Sequence, residues 1–337
     1  MLALQKEYAH KLLTHRNAYT GKTYVEDPAV AFVEINNENG LIHAWLGGEV
    51  DTLPARFRDE LQAQWNRWLL ARHRSAERMR ADWSVGAQPL GDEAVGNGAF
   101  GRGLEGWTVE RHEGAEATAT LSAESPSALP GGASARLAVA RPGRQDWHVR
   151  FERAGVRVRA GQSCTLSFWA KADQPCTLHA SVEQARAPWH VLAGRTAFEL
   201  STQWQRFEVT LTSGEDDEGA RLIFDPAVRP GVYAFAAVSL RPGGLAGLGA
   251  DERPEAGSVP AFTKAQASRR TDAAQRDWMG FLWETEERYW LAMRDYLKRD
   301  LRVRALIIGT VVGCSTPNLM AQMDAVDVHA YWQHPVF

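Results

Sequence analysis

One carboxylate set among amides is the clearest chemical signal in the chain. It lies in Asn36-Asn37-Glu38-Asn39, at the end of the apolar run Phe32-Val33-Glu34-Ile35, which is entered through Asp27-Pro28. A carboxyl group oriented by neighbouring amides is suited to general acid–base work. The run before it predicts a strand over 29–36, and its near-continuous apolarity predicts burial on both faces, as in a parallel sheet. In a barrel of parallel strands, chemistry gathers at the C-terminal tips, and Glu38 stands at such a tip. Glu34 offers itself as a second carboxylate. Four residues of extended chain span ~13 Å, however, so the two groups cannot serve one scissile bond. Glu34 therefore reads as a deeper strand residue satisfied by polar neighbours.

A second chemical cluster is Asp327-Val328-His329-Ala330-Tyr331-Trp332, within a strand predicted over 325–332. Alternation points His329 and Tyr331 the same way. Asp327 is expected at the N-terminal end of that strand, on the packing side, so it is no partner for Glu38. His43 and His334 have no visible partner.

These groups need elements to position them. Leu4, Tyr8 and Leu12 have helical spacing, as do Phe57, Leu61, Trp65, Trp68 and Leu69 after the start signal Asp51-Thr52-Leu53-Pro54. Helical periodicity returns at Trp278, Phe281, Leu282, Tyr289, Met293, Tyr296 and Leu297 and leads into an apolar strand over 305–312. Between these α/β segments the pattern changes to short alternating runs, among them 165–170, 204–211, 220–224 and 232–240, which predict one β-sandwich. The fold class expected is α/β plus all-β: a partial (β/α)8 TIM-type barrel interrupted by a jelly-roll sandwich. The expected boundaries are 1–91 for the first barrel part, 92–243 for the sandwich, 244–265 for a Gly/Pro-rich linker, and 266–337 for the second barrel part. Three parallel strands are too few for a closed barrel, which needs eight and typically ~250 residues. The chain thus reads as part of a larger enzyme.

Composition narrows the function classes. A net charge of −3 gives no electrostatic footing for nucleic acid or an anionic membrane. No apolar stretch reaches the ~20 residues that span a bilayer. The first thirty residues lack the order of a signal peptide, because Lys6, His10 and Lys11 interrupt them. Three scattered cysteines (Cys164, Cys176, Cys314) give neither a disulfide framework nor a zinc site. Thirteen tryptophans suit stacking on sugars, although core packing accounts for most tryptophans.

The segment from Asp27 to Asn39 resembles the fourth strand of clan A glycoside hydrolases, the cellulase-like family 5 group and its relatives. That resemblance implies an acid/base role for Glu38 and contact of Asn37 with the sugar 2-hydroxyl, with Asn36 beside it. It also implies substrate contacts for His329, Tyr331 and Trp332 on a later strand. The clan's nucleophile, a Glu at the end of strand seven, has no counterpart in this sequence. An extracellular or periplasmic location is what the family implies.

The segments Asn97–Phe100, Leu104–Trp107, Leu166–Ala172, Trp204–Phe207 and Ala237–Leu240 resemble carbohydrate-binding modules of the family 4/9 type. In such a module aromatic faces pack against sugar C–H groups while amides and guanidinium groups pair with hydroxyls. Candidates for glycan contact are Trp189, with Trp147 and Gln184 as its partners, and Trp169 on the solvent phase of its strand. Trp107 and Trp204 are assigned to the core. The resemblance also implies a structural calcium, but Ala236 and Ala237 stand where an Asp would be expected. No cofactor is expected otherwise.

The function expected is therefore a glycoside hydrolase segment acting on β-linked glycans with retention, inactive by itself for lack of a second carboxylate. The alternatives are a non-catalytic carbohydrate-binding protein and a sandwich with a purely structural role. The partner in the first two cases is a β-glycan.

Overall fold

A computed structural model describes residues 1–330. Tyr331 and Trp332 lie outside the described residues. The chain divides into two compact units. The first comprises Met1–Met79, Ala250–Lys264 and the chain from Ala273 onward; the second comprises Arg80–Gly249 and Ala265–Asp272. The strands among the described residues are, in order, β1 (Phe32–Glu34), β2 (Trp107–Arg111), β3 (Glu116–Ser122), β4 (Ser134–Arg141), β5 (Val149–Val158), β6 (Ser163–Ala172), β7 (Cys176–Glu183), β8 (Val191–Leu200), β9 (Gln205–Thr212), β10 (Asp217–Asp225), β11 (Gly231–Pro242), β12 (Leu306–Val311) and β13 (Ala325–Asp327).

In the first unit β1, β12 and β13 form a parallel sheet in the order β1-β12-β13. Among the described residues this sheet has three strands and does not close into a barrel. The open sheet corrects the expectation of two-sided burial: Phe32 is 53% exposed and Glu34 is exposed, because β1 pairs with β12 alone. β1 is also shorter than expected. Pairing persists past its end only through the backbone, where the Ile35 and Asn36 N–H groups donate to Ile308 O and Gly309 O.

Helix Ala55–His73 buries Leu61, Trp65 and Leu69 as its spacing requires, while Phe57 at its start stays half exposed. Trp65 packs edge-on against Trp278 at 5.1 Å, and Phe281 of helix Asp272–Asp295 joins it at 5.3 Å. Phe262, from the stretch expected as a linker, completes this aromatic core and is fully buried with Val259. Helix Leu2–Leu13 forms, but its stripe of Leu4, Tyr8 and Leu12 faces outward, and only Leu13 is buried. Its Gln5 amide is instead hydrogen-bonded to the Tyr289 hydroxyl.

The second unit is a sandwich of two five-stranded antiparallel sheets, β2-β5-β10-β7-β8 and β3-β4-β11-β6-β9. Alternation decides which side chains meet in its core. Phe151, Leu178, Ala180, Leu222 and Phe224 of the first sheet face Leu137, Leu166, Phe168 and Phe235 of the second. Trp107 belongs to this core, stacked on Phe151 at 4.8 Å, with its indole N–H donating to Asn97 O. Trp204 is only half-buried, with the Lys171 ammonium 5.5 Å above its ring. The glycine at 98 is required by close approach, since a Cβ there would stand 1.6 Å from Val238 O.

Candidate functional site

The alternation that fills the sandwich core also decides what reaches the opposite face of β2-β5-β10-β7-β8. Leu222 and Phe224 point inward, so Arg221, Ile223 and Asp225 point to the other side. Register then sets charge beside charge: Glu110 pairs with Arg150, Arg221 with Glu183, and Asp225 with His179. The result is a cleft of about 530 Å³ with a charged floor. Arg150, Glu183, Arg195 and Arg221 line it, together with Trp147 and Trp189.

Two ionic chains build the floor. In one, the Arg221 guanidinium donates to Glu110 at 2.8 Å and to Glu152 at 2.7 Å. In the other, Arg150 donates to Glu183 at 2.8 Å and lies 3.3 Å from Asp225. Arg195 continues this chain, 3.3 Å from Asp225 on one side and 2.6 Å from Asp146 on the other. Burial pushes the Asp225 carboxyl up to about 6, against the pull of Arg150 and with the help of Glu183. Asp146 goes the other way. Burial opposes its charge, but the Arg195 hydrogen bond and charge prevail and hold it below the usual carboxylate range.

Two tryptophans stand over this floor. Trp147 lies in the turn Asp146–His148, 41% exposed, and meets His112 edge-on at 5.4 Å. Trp189 is 51% exposed in the loop before β8 and has φ 64, a left-handed conformation rare for a large side chain. Its N–H donates to Arg186 O, Arg186 is anchored 2.9 Å from Asp217, and the Arg221 guanidinium sits 5.1 Å from its ring centre.

The structure thus brings the candidates Trp147 and Trp189 to one cleft. Gln184 is buried below the loop rather than on the cleft wall; its Oε1 accepts the His190 N–H, and its own N–H donates to His190 O. Trp169 is on β6, in the other sheet, half-buried and paired with Ala236 and Arg206, so it cannot share a face with Trp189. The arginines of the floor were missed from sequence. Their one local signal was a charged residue in the outward phase of an apolar run, as in Ala220-Arg221-Leu222.

The calcium that the resemblance implies would need six to eight oxygen ligands. Glu93 accepts hydrogen bonds from the Val95 and Leu240 N–H groups and the Ser239 hydroxyl. Ala236 and Ala237 supply no side-chain oxygen. Among the described residues no group of three His, Cys, Asp or Glu side chains is placed to hold a metal.

In the first unit the chain leaves β1 and turns at Glu38, whose φ is 43. The Glu38 carboxylate meets His329 Nδ1 at 2.6 Å, and His329 Nε2 meets Asp327 at 2.9 Å. Asp327 is the last residue of β13, so it lies at the C-terminal tip beside Glu38, not at the N-terminal end as expected. The strand is shorter than the apolar pattern implied, and His329 follows it. The hydrogen bond to Glu38, then the Asp327 charge, outweigh desolvation and raise the His329 pKa. Partial desolvation, helped by the Asp327 and Glu38 charges and opposed by His329, raises the Glu34 pKa. Asn36 lines a small cavity of about 150 Å³ with Gly40 and Glu286, while Asn37 is exposed. Glu286 holds the turn in place, accepting the Ile42 N–H and the Ser315 hydroxyl. Gly40 fits there because a Cβ would stand 2.0 Å from Cys314 O.

Residues 92–230 match the family model described as a carbohydrate binding domain. No curated protein matches the chain. Among solved structures, a CBM4 protein is 24% identical over 44% of this chain and 99% of its own, with a TM-score of 0.38. The N-terminal cellulose-binding domain of Cellulomonas fimi β-1,4-glucanase C is 21% identical over 44% of this chain and 96% of its own, with a TM-score of 0.34. An arabinose-bound α-L-arabinofuranosidase, MgGH51, is 20% identical over 45% of this chain and 27% of its own, with a TM-score of 0.37. No helix among the described residues is long and apolar enough to cross a membrane. The sandwich of this chain is a carbohydrate-binding module of the family 4/9 type.

Proposed function

We propose that the chain binds a single glycan strand in the cleft over β2-β5-β10-β7-β8. The observation that carries this reading is the pair of exposed tryptophans, Trp147 and Trp189, over one floor of fixed hydrogen-bonding groups. Flat indole faces pack on sugar C–H groups, and the ionic floor presents donors and acceptors that need no reorganisation to meet hydroxyls. Floor charge favours an uncharged glycan. Five carboxylates (Glu110, Asp146, Glu152, Glu183, Asp225) surround three arginines (Arg150, Arg195, Arg221), so a uronate would meet net negative potential. The ligand class is a neutral β-linked polysaccharide, with Gln184 holding the Trp189 loop rather than touching sugar. Affinity gel electrophoresis of the full chain in soluble β-1,4-glucan, xylan and polygalacturonate tests this. Retardation in a neutral gel and none in polygalacturonate is expected; free migration in every neutral gel overturns the reading.

A second reading concerns the first unit, and the contact of Glu38 with His329 favours it. Here the three parallel strands are part of a glycoside hydrolase barrel that carries the binding module as an insertion, with Glu38 as acid/base and Asn37 on the sugar. The retaining mechanism needs a second carboxyl about 5–5.5 Å from the first. The residue that the clan places in that role, a Glu at the end of strand seven, has no counterpart in this sequence. The 337-residue chain alone is expected to be inactive, and turnover of an aryl β-glycoside abolished by Glu38→Gln would overturn that.

A further inference from the structure

We propose that Asp225 is a positioning residue of the cleft: it holds Arg150 and Arg195, and through Asp146 the Trp147 wall, so that glycan affinity requires its negative charge. The inference rests on the glycan-binding reading above.

The geometry is a relay across four strands and a turn. Asp225 ends β10 and is 1% exposed, too deep to touch a ligand. From β5 it faces Arg150, from β7 His179 and Glu183, and from β8 Arg195. Each arginine is shared with a second carboxylate nearer the cleft, Arg150 with Glu183 and Arg195 with Asp146. Asp146 is the residue before Trp147 and opens the short turn that carries it. One buried anion therefore fixes both guanidinium groups of the floor, and Arg195 ties the stacking wall to that floor. Without the anion, two partly buried cations would face each other across a neutral group, and like charges that close repel. Arg195, the more exposed of the two, would swing toward water and release Asp146.

The charge on Asp225 can be removed by pH. Burial raises its carboxyl to about 6, whereas the Arg195 contact keeps Asp146 ionised well below that. Asp225 has a folded value above that of an unfolded Asp, so its protonation favours the fold. Loss of binding on acidification is then separable from unfolding.

Isothermal titration of the full chain with cellohexaose and xylohexaose, from pH 7.5 to pH 5, tests the relay alongside thermal melts. For the hexaose that binds, affinity should fall about tenfold across this range, the scale of one charge-assisted hydrogen bond. Asp225→Asn should bind at pH 7.5 as weakly as the wild type does at pH 5, with a flat profile. His179→Gln should keep the wild-type profile. Should Asp225→Asn fail to fold, Arg195→Gln serves in its place: it unties Asp146 and should likewise flatten the profile. A wild-type chain whose affinity does not change with pH overturns the proposal, as does Asp225→Asn retaining the wild-type fall. If neither hexaose binds at any pH while the fold is intact, the glycan-binding reading itself fails, an outcome distinct from both.

Discussion

The Arg221 guanidinium lies 5.1 Å from the centre of the Trp189 ring while both of its neighbours, Glu110 and Glu152, accept hydrogen bonds from it. One buried cation thus joins the ionic floor to an exposed aromatic wall. A guanidinium fixed by two carboxylates orients an indole that would otherwise be free on its loop.

Trp189→Ala should weaken neutral-glycan binding by about 1–2 kcal/mol, and Trp147→Ala by a similar amount, from the loss of aromatic stacking. Titration calorimetry reads the loss, and an unchanged far-UV spectrum shows that the fold is kept. Wild-type affinity in both variants would mean that the ligand lies elsewhere.

Trp169→Ala should leave binding in the cleft unchanged, because Trp169 stands on the opposite sheet. The same titration checks this. A loss comparable to that of Trp189→Ala would place the ligand on the second sheet.

Arg221→Met should destabilise the sandwich by about 3–5 kcal/mol, since Glu110 and Glu152 would face each other with no cation between them. Urea unfolding of the two proteins measures the difference.

His329 should titrate above a free histidine, and Glu38→Gln should bring its pKa down, with Asp327→Asn having a smaller effect in the same direction. The sign follows from linkage. A histidine raised in the folded state adds stability that is complete below its unfolded value and is lost as pH rises through the folded one. Imidazole carbon-proton shifts followed over pH 5–9 give the value directly.

Trp107→Ala should cost about 3–5 kcal/mol, as expected for removal of a buried aromatic stacked on Phe151 and Phe224. The midpoint of thermal unfolding reports it.

Much of the fold was legible because it follows from periods of two and 3.6. The helix over Ala55–His73 and the inward phase of β6 came from spacing alone, since an amphipathic element has one way to bury its apolar residues. The parallel strands were legible as elements but not as environments. Phe32 and Glu34 read as buried because apolar runs usually have layers on both faces, and no local pattern states how many strands a sheet has. Asp327 was misplaced for a related reason: β13 stops after three residues, where the apolar pattern ran on.

By itself the sequence determined that a Gly- and Ser-rich sandwich interrupts α/β segments, that Trp189 lies in a loop, and that Glu38 follows a strand among amides. Only the tertiary structure decided that Trp147 joins Trp189 and Trp169 does not, and that Asp225, Arg150 and Arg195 form one ionic chain below them. Phase along a strand is a local property, carried by the alternation of side chains. Which strands are neighbours, and hence which charges from Glu110 to Asp225 face one another, is fixed by sheet order between residues 30 to 111 positions apart.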